Sequence, residues 1–425
     1  MWKRPLQVIS LLSLMVSSAD ALTLEETLQS AFQKNETVAQ SRQQVVQVEE
    51  QISQAKGLVY PSLSLEGSHL IQPKPSDPVA AQFFPERQTT VNFALVQPLF
   101  RGGREFAAIR QRNNLLEAQK QAQTQNLIKV YVDVSSAYLD VLAAEQDLKN
   151  LNEQREIYAD RVKKLQTRSR RGESSATEVL TAQSTAAALD AEAQLVQSRL
   201  TSARENLAVL SGVPVDAPLV DKQGETTDIK LRPLEDYLAR IEESPEVKSV
   251  KEQLEASDEE VSIAKGGHWP TADLLGNYYL ERPDGFTKDL KWDIQFKVSI
   301  PLFEGGLRSA QVREAVSKKS VADLELARLR RSKEAEMRSL YQNVRLRADQ
   351  LSALKKSAEL AEKNYKTVLR DSHYGLSRNI DVQMALTDYR SIRRTYDQTR
   401  FQARLDLIKL ESSALYLPAV VTKEM

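Results

Sequence analysis

The sequence predicts a mainly α-helical, internally duplicated chain with a small membrane β-barrel contribution. Three observations predict it. Residues 104–171 and 307–374 each run for 68 residues without a glycine or proline, the two residues that punctuate secondary structure. The halves that contain these runs repeat each other at an offset of 203 residues. Short period-2 segments precede the long runs at matching places in both halves.

The N-terminus reads first as an address. Lys3 and Arg4 precede an apolar stretch from Leu6 to Val16, and Ala19-Asp20-Ala21 has the small-x-small form of a cleavage site. Together they predict a secretory signal peptide over 1–21. A spanning helix needs about 20 apolar residues, more than this stretch offers. No later segment is apolar enough to span as a helix, so membrane crossing would fall to strands.

The long clean runs are rich in Ala, Gln, Glu, Leu, Arg and Lys, good helix formers. At about 1.5 Å per residue each would reach roughly 100 Å. Leu127, Tyr131, Val134, Tyr138, Val141 and Leu148 follow a heptad seam, and Met337, Tyr341, Val344 and Leu351 repeat it. The tyrosines in these seams read as core packing. Shorter helices are expected over 22–57 and 234–266, and after the long runs to 211 and 417.

The duplication is explicit. Pro98-Leu99-Phe100-Arg101-Gly102-Gly103 matches Pro301-Leu302-Phe303-Glu304-Gly305-Gly306, and the same offset aligns Tyr138 with Tyr341, Gly172 with Gly375 and Leu207 with Leu410. Upstream, Ala55-Lys56-Gly57 and Tyr60-Pro61 align with Ala264-Lys265-Gly266 and Trp269-Pro270 at an offset of 209. Each repeat therefore reads as helix, strand pair, long helix, turn, helix.

The strand pairs fall in 58–103 and 267–306. Leu290, Trp292, Ile294, Phe296, Val298 and Ile300 alternate with Lys291, Asp293, Gln295, Lys297 and Ser299, a length suited to a barrel strand of about ten residues. Residues 61–71, 89–97 and 271–281 are weaker candidates. The proline-rich 72–88 reads as a long outer loop and 282–289 as a shorter one.

Four strands cannot close a barrel, and lipid does not tolerate open strand edges. Three copies would give twelve strands. The helices of 173–211 and 22–56, laid end to end, would roughly match one long helix in length, about 111 Å against about 102 Å at about 1.5 Å per residue, as would 376–417 with 234–265. The expected assembly is a homotrimer, a twelve-stranded barrel above a helical tube with two wet faces.

In these residues the chain resembles the outer-membrane efflux proteins, the TolC family. The carriers are the Tyr60-Pro61 and Trp269-Pro270 strand starts, the paired Pro-Leu-Phe-x-Gly-Gly turns (Pro98, Gly102, Gly103; Pro301, Gly305, Gly306), the tips at Gly172 and Gly375, the duplication and the signal peptide. The resemblance implies a trimer with a twelve-stranded outer-membrane barrel, a twelve-helix periplasmic α-barrel and an equatorial collar from 212–233 and the C-terminal tail, 418–425. It implies two hairpins, 104–211 and 307–417, whose tips meet a periplasmic adaptor (membrane fusion) protein. It implies a passive exit duct for an inner-membrane pump or ABC exporter, in tripartite efflux or type I secretion.

Tip residues carry over singly. Arg168, Gly172 and Glu178 fit the family pattern in the first repeat, but Glu173 stands where leucine is usual. Gly375, Leu376 and Asp381 fit in the second, but Asp371 occupies the arginine position. Adaptor contact would involve Arg168, Gly172, Gly375 and Leu376. Asp381 and Glu178 resemble entrance-gate acids, with Arg378 as a partner at i,i+3 spacing. A further family acid is replaced by Met384. Gly172 and Gly375 could also be no more than αL caps, and Asp381 a helix-start acid.

Composition limits the alternatives. Lys+Arg and Asp+Glu are both 58, so no single-sign field favours nucleic acid. The absence of cysteine excludes disulfides, thiolate metal sites and a lipidated N-terminal cysteine. Three histidines, far apart in sequence, offer no obvious cluster. No cofactor and no enzymatic chemistry are expected. The rival class is a secreted periplasmic or surface coiled-coil scaffold or adhesin without a pore, which leaves the paired strands unexplained.

Overall fold

A computed structural model describes residues 21–73, 75–77, 86–222, 224, 229–283 and 287–425. The signal peptide lies outside the described residues except Ala21, as do parts of both outer loops (74, 78–85 and 284–286) and of the 212–233 segment.

The chain opens with α1 (Leu24–Lys34) and α2 (Glu36–Gly57). The sequence predicts one helix over 22–57; the structure has two. Asn35 ends the first, and its side chain accepts the Thr37 N–H to start the second. Its amide also donates to the Leu210 carbonyl at 2.8 Å. Asparagine competes with the helix through such local bonds. Thr23 and Glu26 form a reciprocal capping box at the start of α1.

Strands β1 (Ser62–Ile71) and β2 (Arg87–Phe100) follow, then α3 (Arg104–Arg170) and α4 (Ala176–Ser211). Gly103 opens α3 at φ +75° and Gly212 ends α4 at φ +67°. The second repeat begins with α5 (Leu234–Leu238), a 3₁₀ turn, and α6 (Pro245–Gly266). The continuous helix expected over 234–266 is thus broken, and Pro245 sits at a helix start, where its missing N–H costs nothing. Then come β3 (Thr271–Glu281), β4 (Trp292–Ser299), α7 (Leu307–His373), α8 (Asn379–Ser413) and α9 (Ala419–Thr422).

The strands form one antiparallel sheet in the order β1-β2-β3-β4. Its centre joins the two repeats, and β1 and β4 are its open edges. The helices pack as a layer. α3 is flanked on one side by α4 and α2, on the other by α8 and α6; α7 packs on α6 and α8. α2 starts beside the end of α4, where Lys34 donates to the Gly212 carbonyl at 3.0 Å. α6 starts where α8 ends, with Ser244, Pro245, Ser412 and Ser413 lining one shared cleft. Short helices stack in pairs along each long one.

The heptad seams are the core. Val134, Tyr138 and Val141 are buried with Leu28, Phe32, Leu207 and Val421; Met337 and Val344 are buried with Tyr237 and Leu410. Each large apolar side chain taken from water contributes about 1.5–3 kcal/mol. Tyr138 also directs its hydroxyl at the Leu22 and Val220 carbonyls, 3.0 and 2.7 Å away, tying both segments to α3.

Candidate functional site

Two regions about 100 Å apart, the length of a 67-residue helix, hold the candidate site residues: the sheet and the helix tips. In the sheet, directly opposed residues share a face. Leu63, Leu95 and Ile294 lie in one row with Gly276, and Leu65, Phe93, Tyr278 and Trp292 in the next. All the large side chains in these rows are exposed, as are Phe296 and Val298 on the same face. The opposite face is mainly polar, with Ala94, Val96 and Leu275 among its apolar members. Asn92 donates to Asn277 at 3.1 Å, and Asn277 to Asp293 at 2.9 Å. A sheet with one exposed apolar face and a hydrogen-bonded polar network on the other fits lipid on one side and water on the other.

Strand gives way to helix at the paired glycine turns. Gly102 (φ +72°) lies against the backbone of Gly266 and the Trp269 side chain, so any Cβ there would collide. Gly103, Gly305 and Gly306 also have positive φ but open space around them. Pro98 is inside β2, opposite Asp273, and Arg101 reaches Asp273 at 3.1 Å. After β4, Pro301 begins an irregular stretch on which Leu302 and Phe303 are 92% and 88% exposed.

At the first tip, Gly172 takes φ +74°, and the Gly172 and Glu173 amides donate to the Ser169 and Arg168 carbonyls at 3.0 and 2.9 Å. This is the αL stop that glycine makes cheap. Arg168 folds onto Glu173, 3.7 Å away. Glu178 accepts the Ser174 hydroxyl, while Ser175 caps the Glu178 amide at 3.2 Å. At the second tip Gly375 repeats the geometry at φ +75°, with Leu376 donating to the Asp371 carbonyl at 2.9 Å. Leu376, Tyr374, Ile380 and Met384 form an exposed apolar set.

Asp381 accepts from the Arg378 backbone at 3.0 Å and from its guanidinium at 3.2 Å. Those Arg378 bonds hold its carboxyl below the usual aspartate range and raise the Arg378 guanidinium. The acid therefore closes the first turn of α8 within its own chain.

One residue joins the hairpins near their ends and was not singled out from sequence. Arg161 of α3 donates to the Asn379 carbonyl and side chain at 2.9 and 3.0 Å. Burial lowers its pKa, against the pull of Tyr158 and of Glu178. Its signal was positional: it lies three residues after buried Tyr158 and four before buried Leu165, on the packed face of the helix. Further up, Glu153 meets Arg390 at 2.8 Å, and Arg394 bridges Asp147 and Glu192.

The described residues include no helix long and apolar enough to cross a membrane; the apolar face of the sheet is a different means of crossing. An open sheet of membrane-strand character continuous with two hairpins of about 100 Å is the fold of an outer-membrane protein with a helical extension. Comparison with known proteins agrees. The model of the outer membrane efflux protein family matches residues 27–213 and 239–414, once in each repeat, and the chain belongs to that family. Its place is the outer membrane, and no cysteine is present to carry a lipid. The protease secretion protein PrtF of Dickeya chrysanthemi is 26% identical over 156 residues, covering 36% of this chain and 34% of that protein. CyaE of Bordetella pertussis is 26% identical over 313 residues, 70% of this chain and 63% of that one. The matches thus span about a third and under two thirds of these two relatives' lengths. Among solved structures, CusC, whose structures describe folding and transmembrane channel formation, superposes with a TM-score of 0.80 at 17% identity, covering 92% of this chain and 91% of that chain. VceC of Vibrio cholerae gives 0.78 at 17%, covering 92% and 95%.

Proposed function

We propose that three copies of this chain close into one passive duct across the outer membrane and periplasm, the exit of a tripartite efflux or type I secretion system. The observation that carries this reading is the four-stranded sheet with one exposed apolar face and two unpaired edges. In lipid those edges must find partners, and a second copy's edges are the complementary ones.

The helical layer supports the same closure. Its two outer edges hold most of the exposed large apolar side chains of the helices: Val321, Leu324, Leu346 and Leu360 on α7, and Val46, Leu195 and Val209 on α2 and α4. α7 has 16 Lys+Arg against 9 Asp+Glu, net +7. α1, α2 and α4 together have 5 against 9, net −4. Opposite edges of opposite charge suit a ring of identical copies.

The tips are the adaptor-facing end. Arg168, Gly172, Gly375 and Leu376 would form the docking surface, and Asp381, three copies around the axis, would line the entrance with Glu178 and Arg378 nearby. The inner-membrane pump or ABC exporter supplies the energy, since a duct of this kind needs no catalytic group of its own. A pore-free scaffold or adhesin would leave the apolar face of the sheet in water. Deleting the gene and restoring it tests the function: the deletion should abolish export of the system's substrate and the restored chain should return it, with adaptor recovered on chemical cross-linking. Normal export from the deletion strain would refute the reading.

A further inference from the structure

The contact between the two repeats inside one chain carries information about a contact the single chain cannot make. The repeat operation adds 209 residues to positions up to β1 and 203 to those from β2 onward. It is obeyed by the sheet: Ser62 opposes Val96 and Leu63 opposes Leu95 in the first hairpin, while Thr271 opposes Ser299 and Ala272 opposes Val298 in the second. Both registers match residue for residue.

Between the repeats, β2 pairs with β3 and α3 packs on α6. Applied once more, the operation carries β2 and α3 onto β4 and α7, and carries β3 and α6 back onto β1 and α2 of the next copy. Two contacts of the internal junction have sequence fingerprints. Gly102 and Gly266 approach so closely that a Cβ on Gly102 would overlap the Gly266 carbonyl, and one on Gly266 would lie 2.5 Å from the Arg104 side chain. Their counterparts are Gly305 and Gly57, both glycine. Within the chain neither has an atom within 4 Å of the place a Cβ would take, and Gly57 lies in a helix at no positive φ. In a helix, glycine is worse than alanine, so the isolated chain gives no reason for it.

The second fingerprint is an ion pair that played no part in aligning the repeats. Arg110 of α3 grips Glu259 of α6 with two bonds, 2.8 and 2.7 Å. The counterparts are Arg313 and Glu50, again arginine and glutamate. Arg313 lies on α7 and Glu50 on α2, the two open edges.

We propose that the junction between copies repeats the junction between repeats: Gly305 seats on Gly57 of the next copy, Arg313 pairs with its Glu50, and β4 joins its β1 with Ser299 opposite Glu66. The last register follows from Val96 opposing Leu275. It also places Phe303, now almost fully exposed, opposite Leu63 of the next copy, as Phe100 opposes Ala272. This inference rests on the three-copy reading and adds which residues meet.

The chain has no cysteine, so introduced pairs report without background. In outer membranes, oxidation of the Ser299→Cys, Glu66→Cys double variant should give covalent dimers and trimers, reversed by thiol. Ser299→Cys with Ser62→Cys, four residues away on the same face, should give at least tenfold less. Separately, Arg313→Glu should shift assembly toward monomer, and Arg313→Glu with Glu50→Arg should restore it. Gly57→Val should leave a helical monomer that no longer trimerises. A trimeric protein that cross-links only through Ser62→Cys, or through neither pair, overturns the register and leaves the three-copy duct standing. So does a Gly57→Val variant that trimerises as well as the natural chain. A natural chain that stays monomeric in detergent overturns both.

Discussion

Gly102 and Gly103 are neighbours with the same backbone requirement and different surroundings, which makes them a controlled pair. Both have positive φ, +72° and +75°. Alanine at either position bears the left-handed cost, about 1–2 kcal/mol. At Gly103 nothing lies within 4 Å of the new methyl, and the cost ends there. At Gly102 the methyl would overlap the Gly266 carbonyl and lie 2.9 Å from the Trp269 Cβ. Backbone cannot step aside as a flexible side chain can, and overpacking of this kind adds about 1–3 kcal/mol. Gly103→Ala should therefore lose about 1–2 kcal/mol and Gly102→Ala about 2–5 kcal/mol. Guanidinium titration of each purified variant in detergent, followed by helical ellipticity, gives the comparison through the midpoints at constant slope. Equal midpoints, or a lower one for Gly103→Ala, would refute the claim that a close backbone crossing locks the strands onto the helices.

Three further expectations concern the tips and one half-buried acid. Gly172→Val and Gly375→Val each force a β-branched residue into αL, a local strain of about 1–2 kcal/mol in a solvent-exposed turn; export should fall to background while trimer mass and outer-membrane location stay unchanged, as fractionation and native mass measurement would show. Asp381→Asn should weaken cation preference and block by multivalent cations from the periplasmic side in planar bilayers, and unchanged selectivity would mean that the acid serves only its own helix cap. Burial raises the Glu411 carboxyl, with Arg232 opposing the shift. The folded chain then holds this proton at pH values where the unfolded chain has lost it, so stability from this group grows as pH falls through the raised folded value and levels off below the unfolded one. Glu411→Gln should raise the thermal midpoint at neutral pH and flatten that rise, and a parallel pH curve for the variant would count against the burial argument.

Much of this architecture was legible because it is written in punctuation and periodicity. The glycine- and proline-free runs become α3 and α7, and the heptad positions from Leu127 to Val141 are buried. Period-2 alternation in 290–300 places Trp292, Ile294 and Phe296 on the exposed apolar face. What stayed hidden depends on partners distant in sequence. Asn35 breaks a helix that composition alone would continue, because its side chain has both a local amide and the Leu210 carbonyl to bond. Arg161 looks like one more charged helix residue until Asn379, 218 positions later, is beside it. The hydrogen-bonded chain from Asn92 through Asn277 to Asp293 needs the register of three strands before it exists. At the tips, the glycine turns follow from αL geometry, whereas the Arg378 bonds that hold Asp381 to its own helix start needed the folded turn to appear.

Ionic current through the assembled protein tests the central claim most directly. Purified from outer membranes and inserted into a planar bilayer, the protein should give discrete, uniform conductance steps, one per trimer, if the proposed duct is shared by three chains. Bilayers that demonstrably contain the protein yet carry no more current than bare lipid would contradict a continuous duct, and so would steps that scale with single chains.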